Sequence, residues 1–208
     1  MAITLYCATA NPGKLVEFRL AAPSDLQFVA VGPFDCPETG RTFEENAVQK
    51  ALCYARHVNG LVFADDSGLE VELLGGAPGI HSARYAGPGA TDEQNRVLLL
   101  ENLRPISGGA TSRPRARFVC VVALALPERL LATFHGTAEG EILDAPQGTG
   151  GFGYDPLLYF PPLARTFAEL SPEEKLLHSH RGKAFRPMVA WLRAHSSEIK
   201  GGILTPCA

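Results

Sequence analysis

Three helix-start signals, separated by β-prone runs, limit what this chain can fold into. Thr42-Phe43-Glu44-Glu45, Thr91-Asp92-Glu93-Gln94 and Ser171-Pro172-Glu173-Glu174 each place a hydroxyl residue three positions before Glu or Gln. That is the capping-box pattern, in which side chain and backbone satisfy each other at a helix N-terminus. Residues 2–8 are apolar and β-prone, and Asn11-Pro12-Gly13 breaks the run. A short helix follows over Lys14 to Ala22, ending before Pro23, and Leu26 to Val31 reads as a second strand. Residues 32–41 form a loop. The Thr42-capped helix runs to His57, with an apolar stripe of Phe43, Ala47, Ala51, Ala55 and Val58. Leu61 to Ala64 is a strand that runs into Asp65-Asp66-Ser67-Gly68, and Leu69 to Leu74 follows. Residues 113–126 and 130–142 form a long hairpin around Pro127-Glu128-Arg129. A last helix covers His180 to His195, bent at Pro187. The fold class is α/β (α+β mixed): a mixed sheet with helices on its faces.

Length fits one elaborated domain, here residues 1–195, with 196–208 as a frayed tail short of apolar anchors. The net charge of −3 argues against a basic nucleic-acid-binding surface. The longest apolar run, Phe118 to Leu126, is nine residues, too short to span a bilayer. The five cysteines show no zinc or redox spacing, so a reduced, cytoplasmic chain is the simplest reading.

Four stretches carry candidate chemistry. At Thr9-Ala10-Asn11-Pro12-Gly13-Lys14 a strand gives way to a turn and a helix N-terminus, whose N–H groups suit an anion. Lys14 opposes the helix dipole there, which an anionic partner would relieve; a surface turn with a solvated lysine is the alternative. Asp65 and Asp66 point to opposite sides of an extended chain and so do different jobs. Two acids after an apolar strand suit Mg²⁺ or a general base, or else a turn. Gly148-Thr149-Gly150-Gly151-Phe152-Gly153 matches the dinucleotide fingerprint by letter. The fingerprint needs a helix to open there, and Pro156 disfavours one. What remains is a glycine-rich loop bearing Phe152 and Tyr154, able to stack a base or serve as a core bend. Lys175, His180 and Arg181 place cations at helix ends, for an anion or for solvent.

At these residues the chain resembles the inosine triphosphate pyrophosphatases, the RdgB-like dITP/XTP pyrophosphatases that hydrolyse non-standard purine nucleotides. The matching stretches are ATANPGK (8–14), TFEENAVQKA (42–51), FADDSGLEVELLGGAPGIHSARYAG (63–87), GTGGFGYDP (148–156) and EEKLLHSHRGKA (173–184). Their order and spacing span residues 4 to about 193.

The resemblance implies an elongated, two-lobed fold with a long central mixed sheet, substrate held between the lobes, and a homodimer. It implies Mg²⁺-dependent hydrolysis of ITP, dITP, XTP or dXTP to monophosphate and pyrophosphate, which keeps deaminated purines out of DNA and RNA. Partners would be purine nucleoside triphosphates and a second copy, with neither nucleic acid nor membrane. By position, Thr9, Ala10, Asn11, Pro12, Gly13 and Lys14 would hold the triphosphate. Glu38 and Asp66 would hold the metal, with Asp66 also the proton acceptor. Lys50 would neutralise phosphate charge and Ser67 would touch substrate. Phe152, Gly153, Tyr154 and Asp155 would form the nucleoside-facing loop, and Lys175, His180 and Arg181 would close over phosphate and base. The family usually has Gly where Ala10 stands. If φ there were positive, Ala would cost about 1 kcal/mol. The related Maf-like pyrophosphatases are the competing reading, but their Ser-rich N-terminal signature is missing.

Overall fold

The computed structural model describes residues 3–107 and 113–200. Seven strands form one mixed sheet: β1 (Ile3–Ala8), β2 (Leu26–Ala30), β3 (Val62–Val71), β4 (Arg115–Leu126), β5 (Arg129–Ile142), β6 (Leu158–Phe160) and β7 (Arg165–Thr166). Their spatial order is β2-β1-β3-β4-β5-β6-β7. β1 pairs in parallel with β2 and β3, whereas β6 pairs antiparallel with β5 and β7. The helices are α1 (Pro12–Ala21), α2 (Phe43–Val58), α3 (Asp92–Ser107), α4 (Pro172–His178), α5 (His180–Ala194) and α6 (Ser196–Lys200).

The chain divides into two compact units. The first comprises residues 1–66, 120–136 and 181–208; the second comprises 67–119 and 137–180. β3, β4 and β5 each contribute residues to both. In the first unit, Leu5, Cys7, Phe63, Val122, Phe185 and Met188 are among the buried core side chains. Phe18, Phe63 and Phe185 form a triangle of rings with centroids 4.9, 5.2 and 5.4 Å apart, close enough for edge and tilted contacts to add to burial. In the second unit Leu69, Leu99, Phe118, Ile142, Leu157 and Phe167 are buried together. Along β5 from His135 to Gly140, exposed and buried residues alternate strictly, the signature of a strand buried on one face.

The helix-start signals hold with one variation. Gln94 and Glu174 close full capping boxes on Thr91 and Ser171, with reciprocal bonds of 2.8–3.2 Å. Thr42 Oγ1 accepts from the Glu45 N–H at 3.1 Å, but the Glu45 carboxylate reaches past Thr42 to the Arg41 N–H at 2.6 Å.

Three expectations are corrected. β3 does not stop at Ala64; it runs through Asp65-Asp66-Ser67-Gly68 to Val71, because Leu69 and Val71 extend the apolar run into the second core. Residues 196–200 are helical rather than frayed, since the Ile199 side chain packs against the first core; 201–208 lie outside the described residues. The chain is also not fully reduced. Cys36 and Cys53 form a disulfide, with Cα atoms 6.0 Å apart, because the loop before α2 folds back onto that helix. No described helix is long and apolar enough to cross a membrane.

Candidate active site

The first unit gathers the charged groups. Asn11 caps α1: its side-chain oxygen accepts from the Lys14 N–H at 3.1 Å, and Pro12 sits in the first turn. Thr9 Oγ1 accepts from the Asn11 N–H at 3.2 Å, shaping the turn before the helix. Among the described non-glycine residues, positive φ occurs at Asn59, Glu128 and Ala164. Ala10 therefore carries no left-handed strain, and the expected penalty for lacking Gly does not arise.

Lys14, on the first turn of α1, places its ammonium 2.8 Å from Asp65 Oδ2. Arg181, at the start of α5, pairs with Glu17 and approaches the same Asp65 oxygen to 3.8 Å. The other oxygen, Asp65 Oδ1, is buried without a hydrogen-bond partner among the described residues. Burial alone would raise the Asp65 carboxyl, but Lys14, Arg181 and Lys50 outweigh it and hold it below the ordinary aspartate range.

Asp66 meets different groups, as the two-sided geometry of a strand demands. Its Oδ2 accepts from Asn46 Nδ2 at 3.1 Å. Burial lifts this carboxyl above the ordinary range, against the opposing charges of Lys14 and Lys50. Lys50 extends from α2 to Glu38 at 2.6 Å and to the backbone carbonyl of Asp65 at 3.1 Å. Burial would lower its pKa, but Asp65, Glu38 and Asp66 together raise it, so the ammonium stays charged.

The first unit thus brings together Lys14, Glu38, Lys50, Asp66 and Arg181 from the expected set. Sequence reasoning did not single out Asn46 or Glu17. Asn46 had a signal, because a polar residue three positions after Phe43 falls on the buried side of α2. Arg181 is 2% exposed; its guanidinium lies inside the first unit, paired with Glu17 and near Asp65.

The second unit holds the glycine-rich loop. The Asp155 carboxylate accepts from the Phe152 N–H at 2.7 Å and pairs with Lys175 at 2.5 Å. The Lys175 ammonium also lies 4.8 Å from the centroid of the half-buried Phe152 ring. Asp92 and Arg96 of α3 bind the N–H and carbonyl of Gly153 at 2.6 and 2.7 Å. Gly151 has φ +69°, and a Cβ there would stand 2.1 Å from Asp155 Oδ2. Tyr154 is buried, its hydroxyl donating to the Ser82 carbonyl at 3.0 Å. The Tyr154 and Asp155 side chains thus face into the fold, where they shape the loop, because both find buried partners there. His180 is buried and stacks on Phe118 at 4.7 Å. Ser67 is half-buried within β3.

A sequence model of the Ham1 family matches residues 5–191. The dITP/XTP pyrophosphatase of Acidobacterium capsulatum is 47% identical over 206 residues, covering 92% of this chain and 99% of the relative. That of Thermus thermophilus is 47% identical over 186 residues, covering 88% of each. Among solved structures, a HAM1 protein from Coxiella burnetii superposes with TM-score 0.81 at 39% identity, covering 92% of this chain and 99% of that one. The Staphylococcus aureus Ham1 protein gives TM-score 0.77 at 43% identity, with the same coverage. The chain belongs to the Ham1 family.

Proposed function

We propose that this protein is a nucleoside triphosphate pyrophosphatase that hydrolyses dITP, XTP and related non-standard purine nucleotides to monophosphate and pyrophosphate. Relatives named dITP/XTP pyrophosphatase, matched almost end to end, support the activity. The observation that carries the chemistry is the first unit's cluster, in which Lys14 and Lys50 are held on Asp65 and Glu38 beside the raised carboxyl of Asp66.

The donor set fits Mg²⁺. Glu38 and Asp66 offer hard carboxylate oxygens, and the buried Asp65 Oδ1 lacks a hydrogen-bond partner among the described residues. Glu38 and Asp66 would hold the ion, which when bound neutralises charge on phosphate oxygens. Asp66 accepts the proton of the attacking water; burial makes its carboxylate a stronger base than an exposed one. Asn46 fixes the orientation of that carboxylate through its 3.1 Å hydrogen bond. Lys14 and Lys50 balance the charge that grows on the departing pyrophosphate as the anhydride bond breaks. The Asn11-capped start of α1 supplies N–H groups for phosphate oxygens. In the second unit the loop around Phe152 offers an aromatic face for a purine. Donors matched to a 6-oxo group would be left unpaired by adenine's 6-amino group. Homodimer formation and a cytoplasmic location belong to the same proposal, and light scattering of the purified chain tests the first.

The deciding experiment compares ITP, XTP, dITP, GTP and ATP with and without Mg²⁺, quantifying pyrophosphate and phosphate separately. Metal-dependent pyrophosphate release from ITP and XTP, with ATP and GTP spared, is expected. Orthophosphate as the product, or no turnover of any nucleotide, refutes the proposal.

A further inference from the structure

The loop between β2 and α2 runs back along the helix and is fastened to it rung by rung. The Phe34 N–H donates to the Tyr54 hydroxyl at 3.2 Å, and the Phe34 ring stacks on His57 at 4.3 Å. Cys36 is disulfide-bonded to Cys53. Glu38 pairs with Lys50 at 2.6 Å. The Thr39 N–H donates to Gln49 Oε1 at 3.1 Å and the Gly40 N–H to Asn46 Oδ1 at 2.9 Å. As the loop number rises the helix number falls, so the loop is a strap lying antiparallel to α2. One of these rungs is covalent. It sits two residues before Glu38 on the strap and three after Lys50 on the helix, where positions three apart share a face.

We propose that Cys36 and Cys53 form a reversible redox site. The disulfide clamps the Glu38 strap onto α2, the dithiol releases it, and the redox state thereby sets how well Glu38 is presented to the metal. This rests on the reading of Glu38 as a metal carboxylate. Both cysteines are half-buried, within reach of a small thiol reagent, whereas Cys7 and Cys120 are buried in the first core. Oxidation joins the two sulfurs and releases two protons and two electrons, which convert one small-molecule disulfide into two thiols. Reduction by a dithiol runs the same exchange backwards. The neighbouring rungs are single hydrogen bonds, one ion pair and one ring stack, several of them solvent-exposed, so the dithiol loosens the strap without unfolding α2. A strap clamped only about a third of the time would weaken apparent metal affinity about threefold.

The test uses the full chain carrying Cys207→Ser, which removes the cysteine outside the described residues. The protein is oxidised with glutathione disulfide or reduced with dithiothreitol, and its free thiols are counted. Amide hydrogen exchange over residues 34–41 is measured without metal or nucleotide, and pyrophosphate release from ITP is titrated with Mg²⁺. The dithiol form should exchange faster across the strap and need about threefold more Mg²⁺ for half-maximal rate. Cys53→Ser should match the dithiol form and ignore reductant. Equal exchange in the two forms overturns the proposal, and so does faster exchange with an unchanged Mg²⁺ requirement. If neither form turns over nucleotide, the pyrophosphatase reading fails instead. Calorimetric Mg²⁺ binding to the two forms then decides the redox proposal on its own.

Discussion

Replacing Asp65 with Asn removes one negative charge from the buried interior of the first unit and keeps the side-chain shape. Asp65 is 1% exposed, with the Lys14 ammonium 2.8 Å from one oxygen and Arg181 3.8 Å from the same oxygen. Breaking a buried ion pair costs about 3–5 kcal/mol, because the remaining charge stays desolvated. The low end applies here, about 3 kcal/mol. Arg181 keeps Glu17, and the Lys14 side chain is 14% exposed, so water reaches it. In a chain of this length each kcal/mol moves Tm by about 2–4 °C, which gives a fall of about 6–12 °C. The folded carboxyl titrates below its ordinary value of 3.8. Its contribution is therefore complete above that pH and is lost as pH falls through the folded value, so the two proteins converge in acid. The variant also has one more net positive charge beside the anion site. Metal-free ITP should then raise its Tm by more than it raises that of the parent. Thermal unfolding by circular dichroism, with and without nucleotide, reads both effects. A Tm fall under about 2 °C would refute the assigned ion pair. An equal nucleotide shift in the two proteins would refute Lys14 as a phosphate ligand.

Asp66→Asn should lower turnover by about 10²–10⁴ while leaving the circular dichroism spectrum unchanged, since the rotated amide still accepts from Asn46. Near-normal turnover removes Asp66 from the mechanism. Gly151→Ala must strain a φ of +69° and push Asp155 off its partners; a loss of about 1–3 kcal/mol by urea unfolding and a raised KM are expected. Reducing the Cys36–Cys53 bond, which spans a sequence separation of 17, should lower unfolding free energy by about 3 kcal/mol. Identical urea midpoints for the two redox forms would contradict that.

What the sequence disclosed followed from how local each determinant is. Helix starts were legible because a capping box is complete within four residues, and Thr91 and Ser171 behave as their neighbours demand. The opposite facing of Asp65 and Asp66 was legible from strand geometry alone. Its partners were not. Lys14, Asn46 and Arg181 come from three different helices, and only the assembled unit sets them against β3. The continuation of β3 past Gly68 was hidden by an acidic, glycine-containing stretch with turn-like composition; burial of Leu69 and Val71 overrides it. The disulfide was invisible for a related reason. Nothing in the spacing of Cys36 and Cys53 marks a pair, and their approach depends on the strap folding back along α2. The sequence left Tyr154 open between a base-stacking face and a core bend, because it follows four glycines in the six positions 148–153; its hydroxyl has a buried acceptor at Ser82.

The discontinuity of the first unit bears on how the protein is made. Its core unites β1 and α1 with Phe185, Met188 and Leu192 of α5, which are synthesised long after them. A nascent chain that has reached only residue 180 already carries Lys14, Lys50, Asp65 and Asp66, but not Arg181 or the apolar side chains that seal the core behind them. The second unit ends at residue 180 and has its own core by then. During translation the order is thus reversed relative to the sequence: the part begun later is complete first. Chaperone dependence and sensitivity to C-terminal truncation should therefore concentrate in the half that holds the charged cluster.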